Sequence, residues 1–293
     1  MSKSLIDLCK HDRHITSKLI LELKDEIGMK DEFGMTALMH LCKYNSSITP
    51  EIIRELKDEI GMQDNDGRTA LMHLIDWDEN YNLTIDAIRE LKDEIGIIDN
   101  VGNTALMILF QHYDITPEII REFKREIGIQ NDDGRTALML FCSGTNISIE
   151  MIQELKDEIG KQDDYGRTAL MFLCENNGDI TPELIIGLKD EICIRDGGGR
   201  TALMWFYKND NNIDIKIIKE LKDEIGMKDE NNKTVLIQLC ENNKNISTEL
   251  IKELKYEVEM LYRDKYNYLM DLCESNEKNN KKNLKELKKI LIN

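Results

Sequence analysis

Seven cysteines, five histidines and a recurring carboxylate phrase are the residues here whose types could do chemistry. As thiolates, cysteines could hold a metal or attack a substrate. Six of them (Cys9, Cys42, Cys142, Cys174, Cys240 and Cys273) recur six residues after Thr36 or its equivalent, a slot filled elsewhere by Ile75, Phe110 and Tyr207. A slot that accepts Cys, Ile and Phe is a packing slot. Side chains on successive stacked helices lie roughly 10 Å apart, too far to share a zinc ion. The set is odd and holds no Cys-x-x-Cys, which points to a reducing, intracellular and cytoplasmic setting. Cys193 falls outside the slot and is the one thiol that could react.

The histidines (His11, His14, His40, His73 and His112) sit in no His-Glu-x-x-His or Ser/His/Asp context. Asp64-Asn-Asp-Gly67 looks like a calcium loop, but with Gly67 at position 6 the ligand positions 1 and 12 fall on Met62 and His73. Phosphate-binding glycine motifs are missing, and Gly197-Gly-Gly199 reads as a turn. The Lys-Asp-Glu phrases read as a repeated, solvated polar face, and the methionines at fixed helical phase as core filler. The expectation is therefore no catalysis, no metal and no cofactor.

Charge narrows the partners. Against 39 basic residues stand 56 acidic ones, a net −17 over 293 residues. Nucleic-acid binding draws on phosphate neutralisation by Lys and Arg, so the sign is wrong. No run approaches the ~18 apolar residues of a membrane span. Residues 1–10 contain Asp7 and no apolar core, so no signal peptide is expected. At 41% hydrophobic residues with a strict period, the chain is no disordered polymer.

The elements that must position these residues repeat from end to end. Thr-Ala-Leu-Met begins at Thr36, Thr69, Thr104, Thr136, Thr168 and Thr201, with variants at Lys3, Thr234 and Asn267. The 264 positions from 3 to 267 make eight steps of 33 on average, hence nine repeats and a single array over 1–293. Each repeat reads as two helices. Leu38, Met39, Leu41 and Cys42 mark a helical face in the first, and Ile52, Ile53, Leu56 and Ile60 one in the second. Thr16, Thr49, Thr84, Thr116, Ser148, Thr181, Asp214 and Ser247 are placed to cap the second helix. Pro50, Pro117 and Pro182 each follow such a cap, at the first helical position where a missing N–H costs nothing. Gly28, Gly61, Gly96, Gly128, Gly160 and Gly226 close that helix. An Asp-x-x-Gly-x-Thr turn leads to the next repeat, as in Asp31–Gly34, Asp64–Gly67, Asp99–Gly102, Asp163–Gly166 and Asp196–Gly199.

The period of 33 with Asp-x-x-Gly-x-Thr-x-Leu resembles the ankyrin repeat over essentially residues 1–293. The resemblance implies an all-α solenoid of about nine helix-turn-helix units that binds a protein partner on its concave face. It also implies turn tips that touch partners. The chain departs from the family's Thr-Pro-Leu-His by placing Ala for Pro and mostly Met for His, as at Met39 and Met72. Lys-Asp-Glu-Ile-Gly replaces the family's Gly-Ala-Asp, which is expected to lengthen the second helix by about a turn.

Positions that vary between repeats are those packing does not dictate. Four residues after the Thr the column reads Asp7, His40, His73, Ile108, Leu140, Phe172, Trp205, Gln238 and Asp271, and eight after it includes His11, Tyr44, Trp77 and His112. These two columns share a helix face and are expected to look outward. The expected partner site is thus a band of Tyr44, Trp77, Ile108, His112, Leu140, Phe172 and Trp205. A column of turn arginines, Arg68, Arg135, Arg167 and Arg200, forms a secondary site, unless each pairs with its turn Asp. Residues 1–33 and 260–293 are expected to cap the array. The expected molecule is a monomeric, acidic interaction module. The alternatives are a spacer or scaffold that self-associates through its Lys-rich end at 276–293, and an adaptor subunit of an enzyme complex.

Overall fold

The computed structural model describes residues 4–11, 15–44, 48–76, 83–112, 115–176, 180–209, 215–241, 248–254 and 257. The ninth repeat, including the expected cap at 260–293, lies outside these residues. The chain divides into two compact bodies, Met1–Ala137 and Leu138–Asn293.

In the first body, first helices α1 (Leu5–His11), α3 (Ala37–Tyr44), α5 (Ala70–Ile75) and α7 (Ala105–His112) alternate with second helices. The latter are α2 (Ser17–Glu22), α4 (Pro50–Glu55), α6 (Ile85–Glu90) and α8 (Pro117–Glu122). The second body repeats the plan. Its first helices are α9 (Ala137–Ser143), α11 (Ala169–Asn176), α13 (Ala202–Asn209) and α15 (Val235–Glu241). Its second helices are α10 (Ile149–Glu154), α12 (Pro182–Gly187), α14 (Ile215–Glu220) and α16 (Thr248–Glu253). Within each body first helices pack on first helices and second on second, as α1 on α3 on α5 and α10 on α12 on α14. The described residues hold no strand, and the protein is an all-α solenoid.

Local signals explain the helices. Thr16, Thr49, Thr84 and Ser148 accept a first-turn N–H, from Leu19, Ile52, Ala87 and Met151 respectively. Thr116 and Thr181 keep the extended cap backbone without that bond, while Asp214 and Ser247 lie outside the described residues. All three prolines open their helices as expected. Three first helices are enclosed all round over their first six residues, with Ala37–Cys42, Ala70–Ile75 and Ala169–Cys174 buried without a break. Each buried Leu in these rows contributes roughly 1.5–3 kcal/mol.

The second helix is shorter than expected. α4 ends at Glu55, Leu56 turns to φ −106 and ψ 23, and Lys57–Glu59 form one 3₁₀ turn before Ile60 becomes extended. The reason is the third residue of that turn. Glu59, Glu94, Glu126, Glu158, Glu191, Glu224 and Glu257 are all buried, so the phrase is not a wholly solvated face. The carboxylate of Glu59 accepts from Gly28 N of the preceding repeat (2.9 Å) and from Leu38 N at the start of its own α3 (2.7 Å). Glu94 bridges Gly61 and Leu71, Glu126 bridges Gly96 and Leu106, Glu191 bridges Gly160 and Leu170, and Glu224 bridges Cys193 and Leu203. A 3₁₀ turn aims the side chain inward at an unpaired helix N-terminus, where charge-assisted bonds and the helix dipole favour an anion. Each carboxylate thereby ties one repeat to the last.

The glycine that donates to it adopts positive φ, from 86° at Gly28 to 98° at Gly96. Cys193 takes the same conformation at φ 71°.

Candidate functional site

The described turns between repeats are each built on one side chain, an Asp in all but the turn 131–135, where Asn131 Oδ1 takes the same role. Asp64 Oδ1 accepts from Asp66 N (2.9 Å) and Arg68 N (2.8 Å), and Asp163 and Asp196 do the same for their own turns. Successive turns are linked: Asn65 N donates to Phe33 O (3.0 Å), Asn100 N to Asp66 O (3.0 Å) and Gly197 N to Tyr165 O (2.7 Å). The turn glycine permits this approach, since a Cβ on Gly67 would lie 2.7 Å from Asn100 N.

The column four residues after the Thr serves these turns, and it is not an outward band. His40 Nε2 lies 2.8 Å from Asp31 Oδ2 and His73 Nε2 lies 2.7 Å from Asp64 Oδ2. The Trp205 indole N–H donates to Asp196 Oδ2 (3.0 Å) and Gln238 Nε2 to Asp229 Oδ2 (3.2 Å). Where the column holds Phe172, Asp163 Oδ2 is taken by Arg167 instead, at 3.0 Å. Burial holds the His40 imidazole below its ordinary pKa despite Asp31, so a neutral ring donates to the carboxylate. Asp31 and Asp64 feel burial most, but their histidine and backbone bonds override it and lower their pKa values.

The exposure expected of the band therefore fails at Ile108, Phe172 and Trp205, which are 2, 6 and 4% exposed. Phe172 and Trp205 are covered by their own turns, through Arg167 for the first and Asp196 and Arg200 for the second, and α11 and α13 pack on each other. Leu140 is half-buried, and Tyr44 is exposed and stacks on His40 with ring centroids 5.8 Å apart. Trp77 and the His112 side chain lie outside the described residues. Of the turn arginines, Arg167 and Arg200 pair with their turn Asp, Asp163 at 3.0 Å and Asp196 at 2.9 Å, whereas Arg68 pairs with Asp76 at the end of α5 and Arg135 lies 3.9 Å from Asp133.

A cation–aromatic row on the second body reaches solvent at Tyr165, Arg200 and Lys208. The Arg167 guanidinium stands 4.3 Å from the Phe172 centroid and 5.5 Å from that of Tyr165, which is 64% exposed. Arg200 and Lys208 each lie 4.2 Å from the Trp205 ring. Beyond it opens a cleft of about 370 Å³, lined among others by Arg200, Trp205, Lys208, Lys233 and Gln238. A smaller cavity of about 170 Å³ lies between Ser143–Ile147 and Leu173, Asn176 and Ile180, with no charged lining. Sequence reasoning passed over Tyr165 and Lys208. The signal was the column seven after the Thr (Lys43, Asp76, Gln111, Ser143, Glu175, Lys208), which is polar or small throughout and in the structure half-buried or exposed.

The cysteine slot is a packing slot: Cys9, Cys42, Cys142 and Cys174 are buried, and burial pushes each thiol up, to about 12 at Cys9. Cys193 is exposed, but partial burial and then Glu224 and Asp223 raise its pKa, which opposes a thiolate. Among the described residues no group of three or more His, Cys, Asp or Glu side chains could hold a metal ion. None of their helices is long and apolar enough to cross a membrane.

A family model described as ankyrin repeats in three copies matches residues 5–84 and 106–196. No curated protein matches the chain. Among solved structures, the ankyrin repeat domain of Bcl-3, described as a unique member of the IkappaB protein family, superposes with a TM-score of 0.52 at 15% identity. That match covers 75% of this chain and 98% of the other, and at this identity it shows the fold alone.

Proposed function

The chain belongs to the ankyrin-repeat family, and we propose that it works as a non-catalytic module that binds a protein partner on its concave face. That face is taken to comprise the turns and the last turns of the first helices. One observation carries the reading: the row Tyr165, Arg167, Arg200 and Lys208, set over Phe172 and Trp205, brings partly exposed aromatic and cationic groups together, its cations held in place by Asp163, Asp196 and Glu175. The constant positions are spent internally, the turn Asp on its own backbone and the buried Glu on its neighbour's. Tyr and Arg are over-represented among residues that dominate interface energy.

In this reading the partner is a protein, with neither nucleic acid nor membrane involved, and the module is a monomer with free thiols in a cytoplasmic setting. Residues 1–293 act as one array, capped by 1–33 and 260–293. Tyr44 and Leu140 remain available to the partner from the original band, while Phe172 and Trp205 support the row from beneath.

Affinity capture tests this with three proteins: the wild type, Tyr165→Ala/Lys208→Ala, and Arg54→Ala/Arg89→Ala on the second helices. The partner held by the wild type should also be held by the Arg54/Arg89 variant and be weakened about tenfold or more by the Tyr165/Lys208 pair. Capture indifferent to Tyr165 and Lys208 overturns the reading.

A further inference from the structure

We propose that His40 is a proton-operated latch: neutral, it ties the turn 31–35 to α3, and on taking up a proton at Nδ1 it leaves its slot and lets that turn open. This concerns regulation of the array and does not depend on what the module binds. His40 is 1% exposed, and its Nε2 lies 2.8 Å from Asp31 Oδ2. Asp31 in turn organises the loop, with Oδ1 accepting from Phe33 N and Met35 N at 2.9 Å each. An ionised carboxylate only accepts, so Nε2 carries the proton of the neutral ring and Nδ1 is a bare acceptor. That Nδ1 is buried and has no hydrogen-bond partner. Once protonated it is a buried N–H without an acceptor, on a charged ring, and water reaches it only if the ring moves.

The groups facing the ring set the balance. From α1 the facing charge is Lys10, from α5 it is His73, and from its own turn it is Asp31. His73 is committed to Asp64 at 2.7 Å. Along α3, Tyr44 stacks on the ring. Burial is the largest influence and lowers the pKa of His40 from 6.5; Lys10 and His73 lower it further, and Asp31 raises it without offsetting them. A proton is thus held more tightly with the ring out than with the ring in. The closed turn keeps its full advantage above 6.5 and loses it as pH falls through the folded value. Other repeats fill the same place with groups that do not titrate near neutrality. Trp205 donates to Asp196 at 3.0 Å, Gln238 to Asp229 at 3.2 Å, and Arg167 takes Asp163 at 3.0 Å. Mild acid therefore acts on the turn 31–35 and spares those three.

The test follows hydrogen exchange at the Met35 amide of the full chain from about pH 7.5 to about pH 5.5, corrected for intrinsic exchange. The Arg167 amide, which donates to Asp163 Oδ1 at 2.7 Å, is the internal control. Nitrogen NMR of the His40 ring reads its tautomer and its titration. A global melt sums this effect with the buried Glu carboxyls, which act in the opposite direction, so the readout is local. The Nε2–H tautomer should dominate at neutral pH, with a midpoint below 6.5. Protection of Met35 should fall about tenfold by one pH unit below the ordinary histidine value, while Arg167 keeps its own. His40→Gln, the side chain that Gln238 supplies in the eighth repeat, should hold the turn and flatten its profile; if that variant opens the turn already at neutral pH, the wild-type profile decides. Met35 protection that runs parallel to Arg167, a His40 ring that charges at 6.5 or above with the turn still closed, or a His40→Gln protein that keeps the wild-type pH dependence overturns the proposal.

Discussion

Replacing Glu94 with Gln changes one atom in a buried site and isolates what the repeated carboxylate does. Glu94 is 1% exposed; one oxygen accepts from Gly61 N at 2.9 Å and the other from Leu71 N at 2.6 Å. Gln keeps one acceptor and turns an NH₂ toward the second N–H. That removes a charge-assisted bond of ~1.5–3 kcal/mol and leaves a buried donor unpaired at ~1–3 kcal/mol, while a buried charge is relieved. The expected net loss is about 2–4 kcal/mol. Glu94→Ala, which strands both donors, should cost about 3–5 kcal/mol. The neighbours Lys92 and Asp93 are exposed, and Asp93→Asn should stay within ~0.5 kcal/mol of wild type. Urea unfolding followed by circular dichroism reads the energies, and hydrogen exchange at the Leu71 and Gly61 amides reports where the loss falls. A Glu94→Gln protein within ~0.5 kcal/mol of wild type, with both amides still protected, would refute the claim that the carboxylate couples repeats.

Gly67→Ala meets both a positive φ of 77° and the Asn100 backbone, and should cost about 2–4 kcal/mol; Gly61→Ala, with positive φ but open space, should cost about 1–2. Thermal melts of the pair separate close approach from conformation, and equal losses would show that turn stacking contributes nothing. Trp205→Ala should cost about 3–5 kcal/mol by cavity formation, against the small loss expected of an outward residue, and a melt unchanged within a degree would restore the outward band. Burial raises the pKa values of Glu94, Glu126, Glu191, Glu224 and Glu257 above 4.5 in the folded chain. Protonation of these carboxyls relieves the buried charge and so adds stability that is full below 4.5 and lost as pH rises through the folded values. Above them the ionised form keeps its two N–H bonds at the cost of that charge. Asp31 and Asp64, lowered from 3.8, contribute above that value and lose it as pH falls through their folded values. The melting temperature should thus rise from neutral pH toward about 5 before acid unfolding sets in, and a steady fall over that range would contradict the signs.

The period, the caps and the turns were legible because each is a local rule repeated in register: Thr49 before Pro50, Asp64 before Gly67, Gly61 after Ile60. The buried Glu escaped because Lys-Asp-Glu reads as three solvated charges when each letter is weighed alone. Its signal was present nonetheless: Asp gives way to Arg125 and Tyr256, while Glu126 and Glu257 are retained. The band was misjudged for a different reason. Variation along the column was taken for exposure, yet His40, His73, Trp205 and Gln238 each donate to their own turn Asp, a pairing set by three-dimensional approach across nine residues. The row at Tyr165 and Lys208 depends on which helix face the neighbours leave open, and that is decided by packing between repeats.

Hydrogen exchange on the captured complex, compared with the free chain, tests the interaction module most directly. The account predicts added protection in the turns 163–167 and 196–200 and at the end of α13 around Lys208. Protection confined to the second helices α10, α12 and α14, with those turns unchanged, would contradict it.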